Sequence, residues 1–163
     1  MTIEAIRVGQ GFDVHRFTDD PDRALVLGGC TFEGERGLGG HSDADAVSHA
    51  VAEALLGAAG LGDLGSHFPD TDPEWEGADS LGLLRRVSDL VRDEGWAIGN
   101  VDVSVVCERP QLAPRRDDMQ GRLGEAVGAP VTVKGRRAEG LGAIGRVEGV
   151  ACWAVAVIHR EAR

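Results

Sequence analysis

The order of apolar patterns predicts an α+β fold: one domain, 1–163, built as an α/β sandwich with helices covering one face of a mixed sheet. Three observations carry that expectation. Short alternating or continuous apolar runs at 7–15, 101–106, 131–134 and 150–158 read as strands. Stretches with helical apolar spacing fall between them, near 43–59, 80–94 and 117–127. At 163 residues the chain can bury one real core but not two ordinary ones. Helices on one sheet face leave the other uncovered, and a subunit partner is the simplest cover.

Each element has its own signal. The first strand runs over 7–15 and leads into a loop rich in Asp and Pro near 18–23. Leu25-Val26-Leu27 ends at Gly28-Gly29, a short strand or hairpin arm. If Ser42 or Asp43 caps the first helix, Val47, Ala50, Val51, Ala54, Leu55 and Ala58 form its apolar stripe, and Gly57 and Gly60 end it. On that wheel His49 lies opposite, one turn from Asp45 and Glu53. Residues 62–73 read as irregular, with carboxylates and backbone amides available to a ligand.

A second helix starts at Asp79 or Ser80, carries Leu83, Leu84, Val87, Leu90 and Val91 on one face, and stops at Gly95. A third covers 117–127. The strand over 150–158 is apolar on both faces, which predicts burial on both. Gly140, Gly142, Gly145 and Gly149 form a turn region without a following helix, so they are no nucleotide fingerprint.

A net charge of −10 argues against a nucleic-acid or anionic-membrane binder. A polyanionic ligand would need local basic groups, and the arginines at 115, 116, 136, 137 and 146 supply them; Lys134 is the only lysine. Cys30, Cys107 and Cys152 are odd in number and far apart, which favours free thiols in a reducing compartment. Met-Thr-Ile-Glu-Ala-Ile-Arg lacks the apolar stretch of a signal peptide, and the run 150–158 is too short to span a bilayer. The expectation is a cytoplasmic protein.

The most informative residues are Asp13, His15 and His49. In a strand, residues two apart share a side, so Asp13 and His15 can reach one ion together. His49 can add a third ligand, and one carboxylate with two imidazoles leaves a tetrahedral zinc with an open position. A helix from residue 42 would hold His41 roughly 12 Å from His49 at ~1.5 Å per residue, too far to share an ion. The competing reading of His49 is an incidental imidazole on a solvated acidic face; Asp13 and His15 tip the balance toward metal. His41-Ser42 precedes the helix, where backbone amides and the dipole attract anions, so a phosphate contact is one reading. A Ser/Asp cap beside a histidine is the other, and local sequence does not separate them.

The chain resembles the 2-C-methyl-D-erythritol 2,4-cyclodiphosphate synthase family over about 8–158. The resemblance rests on Gly9-x-Gly11-Phe12-Asp13-Val14-His15, His41-Ser42-Asp43-x-Asp45 with His49, Leu61-Gly62-Asp63-Leu64-Gly65, and Phe68-Pro69-Asp70-Thr71-Asp72-Pro73. Gly99-Asn100-Val101-Asp102-Val103 and Gly145-Arg146-x-Glu148-Gly149 extend it. It implies a homotrimer around a sheet-lined centre, with active sites between neighbouring subunits. It also implies zinc on Asp13, His15 and His49, and a magnesium or manganese ion on Glu139. Substrate would touch Asp13, Val14 and His15, and His41 and Ser42 would meet its phosphates. Asp63, Leu64 and Gly65 with Phe68, Pro69, Asp70, Thr71 and Asp72 would line the ribose and methylerythritol parts. Cys107, Glu108, Arg109, Pro110, Gln111, Leu112 and Ala113 would receive the cytosine. The implied reaction is metal-dependent cyclisation of 4-diphosphocytidyl-2-C-methyl-D-erythritol 2-phosphate with release of CMP, in the non-mevalonate route to isoprenoids.

The match departs after Lys134. Where the family reads Ala-Thr-Thr-Thr and then an acid, this chain has Gly135, Arg136, Arg137, Ala138 and Glu139. Arg137 takes the place of the catalytic threonine and, with His41, becomes a candidate catalytic group, since a guanidinium can clamp phosphate bidentately. Gln111 replaces a lysine, Glu53 an aspartate, and Ala143 an aromatic residue. Arg146 and Glu148 match residues near the family's threefold axis, where some members bind isoprenoid diphosphates. Two other readings compete: a degenerate relative that binds nucleotide or isoprenoid phosphate without turnover, and an unrelated metal-dependent phosphohydrolase.

Overall fold

The computed structural model describes residues 3–162, and its main sheet has four strands in the order β1-β6-β4-β5. β1 (Ile3–Arg16) pairs antiparallel with β6 (Gly149–Glu161), which pairs antiparallel with β4 (Ala97–Val106). β5 (Val131–Arg136) runs parallel to β4, and a parallel pair needs a crossover. Helix α4 (Arg116–Val127) makes it. Val101, Val103, Val105, Val133, Cys152, Ala154 and Ala156 alternate toward the core, where α1 (Ala46–Ala59), α3 (Ser80–Asp93) and α4 cover them. The sandwich expected from the sequence is present.

Helix α1 departs from the amphipathic reading. It starts at Ala46, not at residue 42 or 43, and its N-cap is Asp45. It is buried nearly all round, and Asp45, expected on a solvated face, is fully buried. The carboxylate tolerates this because donors surround it. Its oxygens accept from the amides of Val47 (3.1 Å), Ser48 (3.2 Å), Gly28 (2.8 Å) and Gly29 (2.7 Å), and from the Ser48 hydroxyl (2.7 Å). Gly28 and Gly29 turn the hairpin of β2 (Leu25–Leu27) and β3 (Cys30–Phe32) with φ of 57° and 73°, values that suit glycine in a two-residue turn. One acid thus fastens that hairpin to the start of α1.

The strand–helix contact beside it has no side chains between the backbones. A Cβ on Gly9 would lie 2.0 Å from the Ala54 carbonyl oxygen, and one on Gly11 would lie 1.9 Å from that of Ala50. Only glycine permits this approach, and it sets how near the rest of β1 comes to α1.

Two further expectations are corrected. Trp153 and Val155 of β6 are each 43% exposed, so that strand is not buried on both faces within one chain. With Phe12 and Val14 of β1 they form an apolar surface on the sheet face away from the helices, the Phe12 and Trp153 rings tilted against each other with centroids 4.9 Å apart. The glycine-rich turn region contains a one-turn helix, α5 (Gly142–Gly145). Just beyond it Val147 takes φ 61°, a left-handed conformation unfavourable to a β-branched residue. Residues 62–73 contain α2 (Leu64–His67), capped by Asp63, and lead into a 3-10 turn at Pro73–Trp75, capped by Asp72. No described helix is long and apolar enough to cross a membrane.

Candidate functional site

Beyond Gly9 and Gly11, the same side of β1 carries Asp13 and His15, and the first turn of α1 brings His49 to them. Asp13 Oδ2 lies 2.9 Å from His15 Nε2 and 3.1 Å from His49 Nδ1. One ligand atom from each residue lies within 4.8 Å of the others. His15 Nδ1 is 2.7 Å from the Gly39 carbonyl. That oxygen can only accept, so Nδ1 carries a proton and Nε2 is the nitrogen turned to Asp13, available to a metal in the neutral ring. Burial alone would raise the Asp13 carboxyl, but hydrogen bonds and charge from both histidines outweigh it and hold it well below the usual range. Burial would lower His15, yet the Asp13 hydrogen bond and charge raise it. A carboxylate oxygen and two imidazole nitrogens, half-buried and converging, fit a divalent cation such as zinc.

The loop before α1 is held from several sides. The Ser42 hydroxyl turns inward, 3.1 Å from His49 Nε2 and 3.2 Å from the Ser80 hydroxyl, and accepts from the Ala44 amide at 3.3 Å. His49 Nε2 is 2.9 Å from the Ser80 hydroxyl, which donates to Asp43 Oδ1. The His41 carbonyl accepts from the Gly77 amide at 3.0 Å, and the residue is half-buried. Arg23 spans the loop from below, donating to the carbonyls of Leu38 (3.0 Å) and Gly40 (3.1 Å). Sequence reasoning singled out neither Arg23 nor Ser80. An arginine in an Asp/Pro loop and a serine at a helix start have too many ordinary uses.

A cavity of about 1000 Å³ opens beside β5, lined by 107–116, Gly135, Arg136, Arg137, Phe32, Glu33 and Glu35. All seven residues expected to receive a cytosine lie on it. Burial pushes the Cys107 thiol up to about 11, and its sulfur sits 3.6 Å from the Pro110 carbonyl. Arg137 donates to Glu108 Oε2 from Nε at 2.9 Å, with Nη2 2.7 Å away, while Glu108 Oε1 accepts from the Gly140 amide at 3.2 Å. The Arg137 hydrogen bond, then that amide, hold the Glu108 carboxyl below its usual value. Arg109 grips Glu35 with two bonds, at 3.1 and 3.2 Å.

Other expected site residues lie elsewhere. Asp63 accepts from the Ser66 amide (2.8 Å) and hydroxyl (2.6 Å), and the Leu64 amide donates to Glu53 at 3.0 Å. Gly65, Asp70 and Thr71 are exposed, Pro69 and Asp72 half-buried, and Phe68 packs edge-on to Trp75 at 5.1 Å. Ala143 and Arg146 are exposed around α5, with Arg146 2.6 Å from Glu148. Ala138 is half-buried, and Glu139 is exposed in a left-handed conformation, φ 54°. Glu139 is not among the residues that cluster with Asp13, His15 and His49.

Known proteins match this chain along most of its length. The YgbB family model matches residues 6–159. A bifunctional enzyme IspD/IspF from Anaeromyxobacter dehalogenans is 52% identical over 96% of this chain and 41% of its own. The chain therefore spans about two-fifths of that relative's length. A 2-C-methyl-D-erythritol 2,4-cyclodiphosphate synthase from Salinibacter ruber is 52% identical over 94% of this chain and 99% of its own. A solved synthase of the same name, in its CDP-bound form, superposes with a TM-score of 0.84 at 35% identity, covering 93% of this chain and 99% of the other.

Proposed function

The chain belongs to the YgbB family, and from that premise we propose that it is a 2-C-methyl-D-erythritol 2,4-cyclodiphosphate synthase. Its reaction is cyclisation of 4-diphosphocytidyl-2-C-methyl-D-erythritol 2-phosphate with release of CMP, in isoprenoid precursor biosynthesis. The observation that carries this is the half-buried convergence of Asp13, His15 and His49, in a chain that also carries an arginine-bearing cavity. The CDP held by a solved relative supports a cytidine nucleotide as the ligand.

In the reaction an oxygen of the 2-phosphate forms a bond to the β-phosphorus. The bond from that phosphorus to its bridge with the α-phosphate breaks, and its electron pair leaves with CMP. Little covalent work falls to the protein, so positioning and charge compensation carry the rate. Asp13, His15 and His49 would hold zinc, and Glu139 a magnesium or manganese ion; when bound, such ions supply Lewis acidity to phosphate oxygens. His41 and the Ser42 backbone orient phosphate at the mouth of the metal pocket. Residues 107–113 receive the cytosine, residues 63–65 and 68–72 line the remainder, and Arg137 turns a guanidinium toward the diphosphate.

The assembly in this reading is a homotrimer of single-domain chains with active sites between subunits. The exposed apolar surface of Phe12, Val14, Trp153 and Val155 supports it, as does the separation of Glu139 from the metal cluster. The proposed location is the cytoplasm, where three buried free thiols suit a reducing environment.

The test is direct. Purified protein is given the diphosphocytidyl substrate and magnesium before and after zinc removal, and CMP and cyclic product are followed by phosphorus NMR. Cyclisation that disappears without zinc and returns on its readdition is the expected outcome. Linear hydrolysis products, or CDP binding without turnover, sink the synthase reading. Sedimentation of the same preparation should give a trimer mass.

A further inference from the structure

His15 and His49 have their outward nitrogens fixed by different means. For His15 a backbone carbonyl does it. For His49 the partner is the Ser80 hydroxyl, at 2.9 Å from Nε2, and protons along that chain can be assigned one by one. Asp43 is a carboxylate and only accepts, so the Ser80 proton goes to its Oδ1. The Ser42 hydroxyl accepts from the Ala44 amide at 3.3 Å and stands 3.2 Å from the Ser80 oxygen and 3.1 Å from His49 Nε2, so Ser80 is the nearer partner of the ring. Ser80 is left with lone pairs only for His49, which must place its proton on Nε2. The Nδ1 lone pair then faces Asp13 Oδ2 at 3.1 Å, an acceptor facing an acceptor. Such a pair is satisfied by a cation between them, either a metal ion or a second proton on the ring.

Helix α3 has no need of the Ser80 hydroxyl. Its N-cap is Asp79, whose oxygens accept from the Leu81 and Gly82 amides at 3.2 Å each. Yet Ser80 is only 1% exposed and aims its oxygen at His49. Asp43 is fixed in turn by the amides of Ser80 (3.2 Å) and Asp45 (3.1 Å).

We propose that Ser80 and Asp43 are positioning residues of the metal centre, which set the His49 tautomer and ring orientation through the chain Asp43–Ser80–His49. The proposal rests on the metal-site reading of Asp13, His15 and His49, not on the identity of the reaction. Residues that orient a ligating histidine typically govern about 10- to 100-fold in metal affinity. Losing the Ser80 hydroxyl releases the His49 ring to rotate and to take the other tautomer. The Ser42 hydroxyl offers only a longer contact as a substitute.

The experiment titrates zinc(II) alone against a competing chromophoric chelator, with folding followed by circular dichroism. Ser80→Ala is expected to keep its fold and bind zinc about 10- to 100-fold more weakly, and Ser80→Thr, which keeps the hydroxyl, to recover most of that loss. The visible spectrum of the cobalt(II)-substituted protein should change in Ser80→Ala and return in Ser80→Thr. An unaltered affinity in folded Ser80→Ala overturns the proposal. A loss that Ser80→Thr fails to reverse also overturns it, because packing would then be the cause. If Ser80→Ala does not fold, Asp43→Asn decides: it keeps an acceptor for the hydroxyl but removes the charge. A several-fold loss there supports the chain, and an unchanged affinity refutes it. Wild-type protein that binds zinc normally but fails to cyclise would sink the synthase reading and leave this one standing.

Discussion

At the junction of β1 and α1, a carboxylate oxygen and two imidazole nitrogens converge on one point. In the cavity beside β5, Glu108 and Glu35 each already have an arginine partner. The first region is short of positive charge and waits for an ion. The second is internally neutralised, so a phosphate arriving there competes with a carboxylate for Arg137. Arg137 is 72% exposed while Glu108 is almost covered, so the acid acts as a fixed anchor and the guanidinium as a movable arm. Preorganisation therefore differs across the molecule: complete at the candidate metal ligands Asp13, His15 and His49, conditional at the arginine.

The largest break in that contrast should come from Asp13→Ala, which removes the atom both histidines share. Metal content should fall to near zero and turnover by about 1000-fold or more, since the ion is asked for several kcal/mol and each 1.36 kcal/mol is a factor of ten. Metal analysis and steady-state kinetics on one preparation would show it, and retained zinc would contradict it. Arg137→Ala should act less, lowering kcat/KM about 10- to 100-fold, as one charge-assisted contact is worth about 1.5–3 kcal/mol. Zinc content should not change. Acid gives a related probe. The Glu108 carboxyl is depressed below 4.5, so the ion pair is intact above that pH and is lost only as pH falls through the lower folded value. The smallest effect should be at Val147, held at φ 61°. Val147→Gly relieves that conformation and should raise stability by about 1 kcal/mol, or about 2–4 °C in Tm, with kinetics unaltered. A lowered Tm would show that the Val147 side chain contributes more than its backbone costs.

The legibility of these regions in the sequence follows the same division. Asp13 and His15 were readable because a strand has a period of two, and His49 because a helix starts soon after. The start of that helix was misplaced because Ser42, Asp43 and Asp45 all suit a cap, and only the hairpin amides of Gly28 and Gly29 single out Asp45. The all-round burial of α1 was hidden for a related reason. Asp45 looks like a solvated acid until its bonding partners, remote in sequence, are known. The Glu108–Arg137 pair joins residues 29 apart on different elements, and no periodicity encodes such a contact. Burial of both faces of β6 follows from its composition, yet a single chain supplies cover for only one.

The two glycines of β1 carry a consequence for ion choice. Where a peptide oxygen of α1 occupies the volume of a missing Cβ, the spacing between strand and helix is already minimal, and the ligand side chains inherit that spacing. A larger residue at Gly9 or Gly11 would push the helix outward and enlarge the coordination sphere without altering a single ligand. Selection among metals of different radius can therefore be tuned from positions that never touch the metal.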